Sequence, residues 1–309
     1  MTRVRRPVLL LVLLLLLAGC GLGGASETTE PVRVLVSRDF GGQQVGRMAT
    51  GAARGETVLG LLERSFDVQT RGRAVQEIEG VTSGRLNGRP VDWSYYVNGI
   101  EADTGAGSRR LAAGDRVWWD FHDRGVAPRI PAVVGSFPEP FLSGNEGRRI
   151  PVRIECATAA ARECGEVQRR FAVAGVKRTA RAGLGQAAAE GVLRVLVGPW
   201  TLLRRDPAAR RLERGPQRSG VYARPWGDGK RMDLLDQRGR VVRRIGAGAG
   251  LVAATSIRED APVWVVTGTD EVGVAAAAGA LEEGILSRRF ALAIDEGRGV
   301  PLPIDSERE

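Results

Sequence analysis

Asp92-Trp93-Ser94-Tyr95-Tyr96-Val97-Asn98-Gly99 is the stretch on which the fold of this chain turns. Aromatic and β-branched residues run up to an Asn-Gly pair, and both residues of that pair tolerate the positive φ of a type I′ turn. The pattern predicts a strand ending in a two-residue hairpin. Strand alternation puts Trp93 and Tyr95 on one face and Ser94 and Tyr96 on the other. Gly114-Asp115 marks a second turn before Arg116-Val117-Trp118-Trp119-Asp120-Phe121, in which Trp118 and Trp119 must face opposite ways. Upstream, Val32-Arg33-Val34-Leu35-Val36 alternates like a strand. Residues 56–66 read as a helix, because Val58, Leu62 and Phe66 recur every four positions beside Leu59. One helix on a small curved sheet is the architecture expected over residues 32–124.

Three segments of this region carry a family resemblance: Gly55-Glu56-Thr57-Val58-Leu59, Trp93 to Gly99, and Leu111-Ala112-Ala113-Gly114-Asp115-Arg116-Val117-Trp118. In order and spacing they resemble the transcobalamin C-terminal-like domain, a β-grasp module that also occurs in bacterial surface proteins. The family includes the smaller domain of vitamin B12 carriers, which closes over the corrin. The resemblance therefore implies a β-grasp fold and a small ligand, with cobalamin among the candidates. The chain departs from the animal carriers in having no large helical-barrel domain beside this module. The aromatics Trp93, Tyr95, Tyr96, Trp118 and Trp119 are the ligand-contact candidates. One face of the sheet is expected to be core, and the other is either core as well or an exposed aromatic platform for a flat or sugar ligand. Asn98 and Gly99 read as turn formers. His122, the single histidine, is either a metal ligand or a surface residue near a strand end.

The start of the chain gives an address. Arg3, Arg5 and Arg6 precede an apolar run from Val8 to Leu17, then small residues, which is the order of a secretory signal. The run is shorter than the ~20 residues a bilayer span needs. Leu17-Ala18-Gly19-Cys20 resembles the lipobox of bacterial lipoproteins. On that reading residues 1–19 are a signal peptide and Cys20 is the lipidated (diacylglyceryl and palmitate-type) N-terminus. Residues 20–31 are then a small, polar tether, and the protein is held at the extracytoplasmic face of the cell membrane. Of the three cysteines, Cys156 and Cys164 remain. In an oxidising compartment they form either a disulfide or two small buried thiols.

Residues 125–150 concentrate Pro128, Pro131, Pro138 and Pro140 with Gly125, Gly135, Gly144 and Gly147, and read as the linker between two domains. Beyond it, strand patterns at 151–156, 192–198, 221–224, 262–266 and 291–295 alternate with helical ones at 157–174, 206–214 and 271–287. Residues 151–305 are therefore expected to form an α/β layered domain with mainly parallel strands. The turn Val265-Val266-Thr267-Gly268-Thr269-Asp270 into an Ala-rich helix resembles Rossmann-like segments. Val195-Leu196-Val197-Gly198-Pro199-Trp200 instead suggests a pair of βαβ repeats like the cell-wall-binding sporulation-related repeat. The whole chain reads as a two-domain α+β / α/β protein.

The chemistry is sparse. Gly246, Gly248 and Gly250 do not make a dinucleotide fingerprint, because Leu251 stands where its third glycine belongs. Thr267–Thr269 precede a helix whose amides could meet an anion, but Asp270 reads as its N-cap. A serine or cysteine nucleophile has only His122 to pair with and no G-x-S-x-G elbow occurs, and a His/Cys zinc set is not available, so no catalytic or metal residue is assigned and no enzyme is expected. A carboxylate-pair hydrolase is the remote alternative. The formal charge of +9 comes from 45 basic residues of which only Lys177 and Lys230 are lysine, with no basic tract interleaved with aromatics. Nucleic acid is not expected as a partner. The reading is a lipid-anchored binding or uptake accessory protein, with a small-molecule ligand and a membrane transporter as partners. The alternative is a structural or wall-glycan-binding envelope protein.

Overall fold

The computed structural model describes residues 30–187, 190–257 and 261–305. Cys20 and the leader lie outside these residues. The first unit runs β1 (Val32–Arg38), β2 (Gln43–Thr50), α1 (Val58–Glu63), β3 (Val68–Arg71), β4 (Ala74–Ile78), β5 (Val81–Thr82), β6 (Gly84–Leu86), β7 (Arg89–Val97), β8 (Ile100–Glu101) and β9 (Arg116–Asp123). The main sheet has the order β2-β1-β9-β7-β6, with β8 paired to β7. β1 and β9 are parallel, and the other pairs are antiparallel. Thr57 caps α1 by accepting from the Gly60 amide. Val58, Leu61 and Leu62 of the helix then pack on Val32, Val34, Val36, Trp93, Tyr95, Val97, Val117 and Trp119. The alternation in β1, β7 and β9 thus places one residue set under the helix.

The second unit comprises β10 (Val152–Cys156), α2 (Ala161–Val173), β11 (Thr179–Gly183), β12 (Leu193–Pro199), α3 (Trp200–Leu203), α4 (Pro216–Ser219), β13 (Ala223–Pro225), β14 (Met232–Leu235), β15 (Val241–Ile245), β16 (Gly250–Thr255), β17 (Val263–Gly268), α5 (Glu271–Gly279), α6 (Glu283–Leu286), β18 (Ala291–Asp295) and β19 (Arg298–Leu302). Seven strands form one sheet in the order β11-β10-β12-β17-β16-β18-β19. The half from β11 to β17 is parallel, whereas β16, β18 and β19 are antiparallel. The sheet is therefore mixed and not mainly parallel, because β16 returns beside β17 without a crossover helix. β13–β15 form a separate antiparallel sheet, which suits the charged Val241–Ile245 segment. The helical pattern over 271–287 divides into α5 and α6 around Ala280–Glu282.

Residues 125–150 pack as part of the interior. Ala127, Ile130, Val133, Val134, Phe137 and Phe141 are buried, and the Phe137–Pro138 and Glu139–Pro140 peptides are cis. At Gly135 the chain passes so close to its neighbours that a Cβ would lie 2.7 Å from both the Arg289 amide nitrogen and the Trp118 ring. The aromatic centre of the second face of the first unit's sheet, at Tyr96, Trp118 and His122, is covered by the second unit. Phe290, at the entry to β18, sets its ring 5.2 Å from Phe40, 5.6 Å from Tyr96, 5.1 Å from Trp118 and 5.4 Å from His122. Tyr222 adds an edge contact to Phe40. One continuous hydrophobic core therefore spans both units.

Candidate functional site

All five aromatics singled out from sequence are buried. Trp93, Tyr95 and Trp119 lie under α1, with Tyr95 stacked on Trp119 at 4.8 Å. Tyr96 and Trp118 lie under Phe290. An exposed aromatic platform on the second face is thus not what forms, because the second unit covers that face. Nor is any large aromatic among the exposed apolar side chains of the described residues. His122 is not at the surface but enclosed between the units: its Nδ1 is 2.9 Å from Asp120 Oδ1 and its ring lies 4.6 Å from Phe40. Ser37 Oγ donates to the same carboxylate, which also accepts from the Phe40 and Gly41 amides. Asp120 stands between the serine and the histidine, so His122 does not take the position of a base for Ser37. The cluster instead ties the 39–42 turn to β9. Among the described residues, no three His, Cys, Asp or Glu side chains are placed to hold a metal ion.

The Thr267–Thr269 turn is closed as well. Asp270 accepts from the Gly273 amide at the start of α5 and from the Gly248 amide, so a carboxylate already occupies the helix N-terminus. Cys156 and Cys164 are joined as a disulfide with Cα atoms 6.0 Å apart, linking the end of β10 to the first turn of α2.

The polar concavity that both units build begins at the Asn98-Gly99 turn. Both residues have positive φ, 55° and 76°, and join β7 to β8 as a two-residue hairpin. The turn is buried. Asn98 Nδ2 donates to Asp115 Oδ1 and to the Gly144 carbonyl, and its Oδ1 accepts from the Arg116 amide. The Gly99 carbonyl accepts from the Val133 amide, and a Cβ on Gly99 would lie 2.9 Å from the Val133 carbonyl oxygen. The segment 131–133 therefore runs along β8, and the Glu101 amide donates to the Pro131 carbonyl.

Beside this seam opens a cleft of about 470 Å³, floored by Val97, Ile100, Ile150 and Pro262. On one side Arg129 Nε donates to Glu101 Oε2 at 3.0 Å. Burial pushes the Glu101 carboxyl above the usual range, against the pull of Arg129. On the other side the buried Arg109 is held by Asn145 Oδ1 at 2.8 Å and Glu146 Oε1 at 3.0 Å. The tight 145–148 turn, closed by reciprocal Asn145 and Arg148 backbone bonds, carries Arg148 and Arg149 at the mouth. Arg149 and Asp103 are exposed and make no ion pair among the described residues. Buried, pre-oriented charges over an apolar floor, with free charges at the rim, suit a small polar ligand. None of these residues was singled out from sequence. The arginines sit in irregular segments and Glu101 in the two-residue strand β8, and only the pairing of β8 with residues 131–133 gathers them.

A family model described as a domain of unknown function (DUF4430) matches residues 55–123, from the turn before α1 to the end of β9. That family is related to transcobalamin-like domains. A solved structure described as "a putative metal binding protein from Ruminococcus gnavus ATCC 29149" is similar at 14% identity and a TM-score of 0.25, over 30% of this chain and 97% of that chain. No curated protein matches the chain.

Proposed function

We propose that this protein is a lipid-anchored extracytoplasmic binding protein that holds a small polar ligand in the cleft between its two units, as an accessory to uptake. The observation that carries the reading is the cleft itself. Its buried Arg109 and half-buried Glu101 come from the first unit, its rim arginines from the segment that joins the units, and Pro262 from the second. The domain match over residues 55–123 covers Glu101 and Arg109 and supports the recognition role of the first unit. Lipidation at Cys20 would supply the tether, and a membrane transporter would receive the ligand. Cobalamin is the first ligand to test, because the resemblance to transcobalamin-like domains points to it. His122 is enclosed, so a corrinoid would have to be held through its periphery.

The test is direct. The full chain is extracted from its native membranes in mild detergent and denatured, and the released small molecules are identified by mass spectrometry. Cobalamin is titrated in parallel against absorbance and melting temperature, since a ligand specific to the folded state raises stability. A stoichiometric released or added ligand supports the reading, and an empty protein that no probe stabilises overturns it. Partition of the wild type into detergent, lost in Cys20→Ala, tests the anchor separately.

A further inference from the structure

We infer a second ligand site, at the carboxyl ends of β10, β11 and β12, that takes a small organic anion with an apolar body. The topology puts it there. β10 leads through α2 to β11 on one side, and β11 then leads to β12 on the other side of β10. The chain order reverses at β10, and open α/β sheets bind ligands in the crevice outside the strand ends at such a point. A crevice of about 900 Å³ lies against this point, lined by the segments that follow β10, β11 and β12 and, from the amino end of β12, by the side chain of Arg194; its size is within the range of small-molecule sites.

Its floor is a charged cluster with every carboxylate oxygen spoken for. Arg153 donates from Nε and Nη2 to Glu155 Oε1, and Arg194 donates from Nε to Oε1 and from Nη2 to Oε2. Arg194 Nη2 also donates to Asp206 Oδ2 at 2.6 Å. Arg153 further fixes one wall by donating to the Gln186 and Ala187 carbonyls. Two features remain unused. The Nη1 group of Arg194 has no acceptor among the described residues, although its side chain is only 18% exposed. Arg205, on the crevice lining, is exposed and makes no ion pair among the described residues.

Three arginines face two carboxylates, so the site has one positive charge in excess. The carboxylates are already neutralised, which disfavours a cationic ligand. A carboxylate laid on Arg194 Nη1 and Arg205 would complete charge-assisted bonds in a partly desolvated setting. Leu184, Leu202 and Leu203 line the rest and suit an apolar body.

The experiment is isothermal titration calorimetry of the full chain in detergent, with 3-phenylpropionate as the probe and its uncharged amide, 3-phenylpropanamide, as the control. The carboxylate is expected to bind and the amide to bind at least about tenfold more weakly. Arg205→Gln, at an exposed position, is expected to weaken the carboxylate about tenfold with an unchanged melting temperature. Leu184→Asp, which adds negative charge to the wall, should also weaken the carboxylate, with some loss of melting temperature because Leu184 packs on the core. The double variant Arg148→Glu/Arg149→Glu, at the mouth of the interdomain cleft, should leave this binding intact. Absence of binding, equal binding of the amide, or loss of binding only in the Arg148/Arg149 variant would each overturn the assignment, and the last would move the probe to the interdomain cleft.

Discussion

Phe290→Ala is the sharpest test that the two units share one core. The side chain belongs to the second unit and is 3% exposed, yet three of its ring partners, Tyr96, Trp118 and His122, belong to the first unit's sheet, and the fourth, Phe40, to its β1–β2 turn. Truncating a buried Phe costs about 3–5 kcal/mol. Part of that cost is the aromatic pairing, worth about 0.5–1.5 kcal/mol beyond area burial. At roughly 2–4 °C per kcal/mol for a chain of this size, the melting temperature should fall by roughly 6–20 °C. Hydrogen exchange with mass spectrometry locates the effect. Amides of β7 and β9 should lose protection together with those of β16 and β18, and urea unfolding should stay a single transition. A variant in which β7 and β9 keep wild-type protection, or in which two transitions separate, would refute the shared core. So would a loss below about 1 kcal/mol, which is the scale of an ordinary surface change.

Three further outcomes are expected. Asn98→Ala leaves the Gly144 carbonyl, the Arg116 amide and Asp115 without their partner, at about 1–3 kcal/mol per unsatisfied buried group, and chemical denaturation should show a loss of several kcal/mol. Replacing Cys156 and Cys164 together by Ser opens a bridge with a sequence separation of 8. Loop-closure entropy puts its worth near ~2.5 kcal/mol, readable as a lower urea midpoint that reduced wild type reproduces. Burial holds the Glu139 carboxyl above its ordinary range despite bonds from the Ser143 amide and hydroxyl. The folded state therefore binds this proton more tightly than the unfolded one, and the group's contribution to stability falls as pH rises through that window. Glu139→Gln should gain stability relative to wild type between about pH 4 and pH 7, and a constant difference across that range would contradict the assignment.

The first unit was largely legible because its signals are local. Period-two alternation in β1, β7 and β9 and the Asn98-Gly99 pair depend only on neighbouring residues. What covers the second face was not legible. Alternation marks Tyr96 and Trp118 as apolar whether the cover is a ligand or another part of the chain. Residues 125–150 misled for a related reason. Prolines and glycines erase periodicity, so the segment reads as a linker, although Ile130, Val133, Val134, Phe137 and Phe141 between them were a usable sign of burial. In the second unit, the antiparallel half of the sheet was hidden because a short β-return and a crossover look alike until the pairing of β16 is known. The interdomain cleft had no sequence signature at all. Arg109, Arg129, Arg148 and Arg149 are four of 43 arginines in an arginine-biased chain, and only long-range pairing separates them from the rest.

The claim on which the functional reading rests is that the interdomain cleft holds a small polar ligand. The most direct measurement is the affinity of the molecule released from native protein, titrated into wild type and into the Arg148→Glu/Arg149→Glu variant. Both arginines are exposed, so the two proteins should melt alike without ligand. Wild type should bind with a melting temperature that climbs with ligand concentration, and the variant should bind at least about tenfold more weakly. Equal affinity in the two proteins would contradict the placement of the ligand in this cleft.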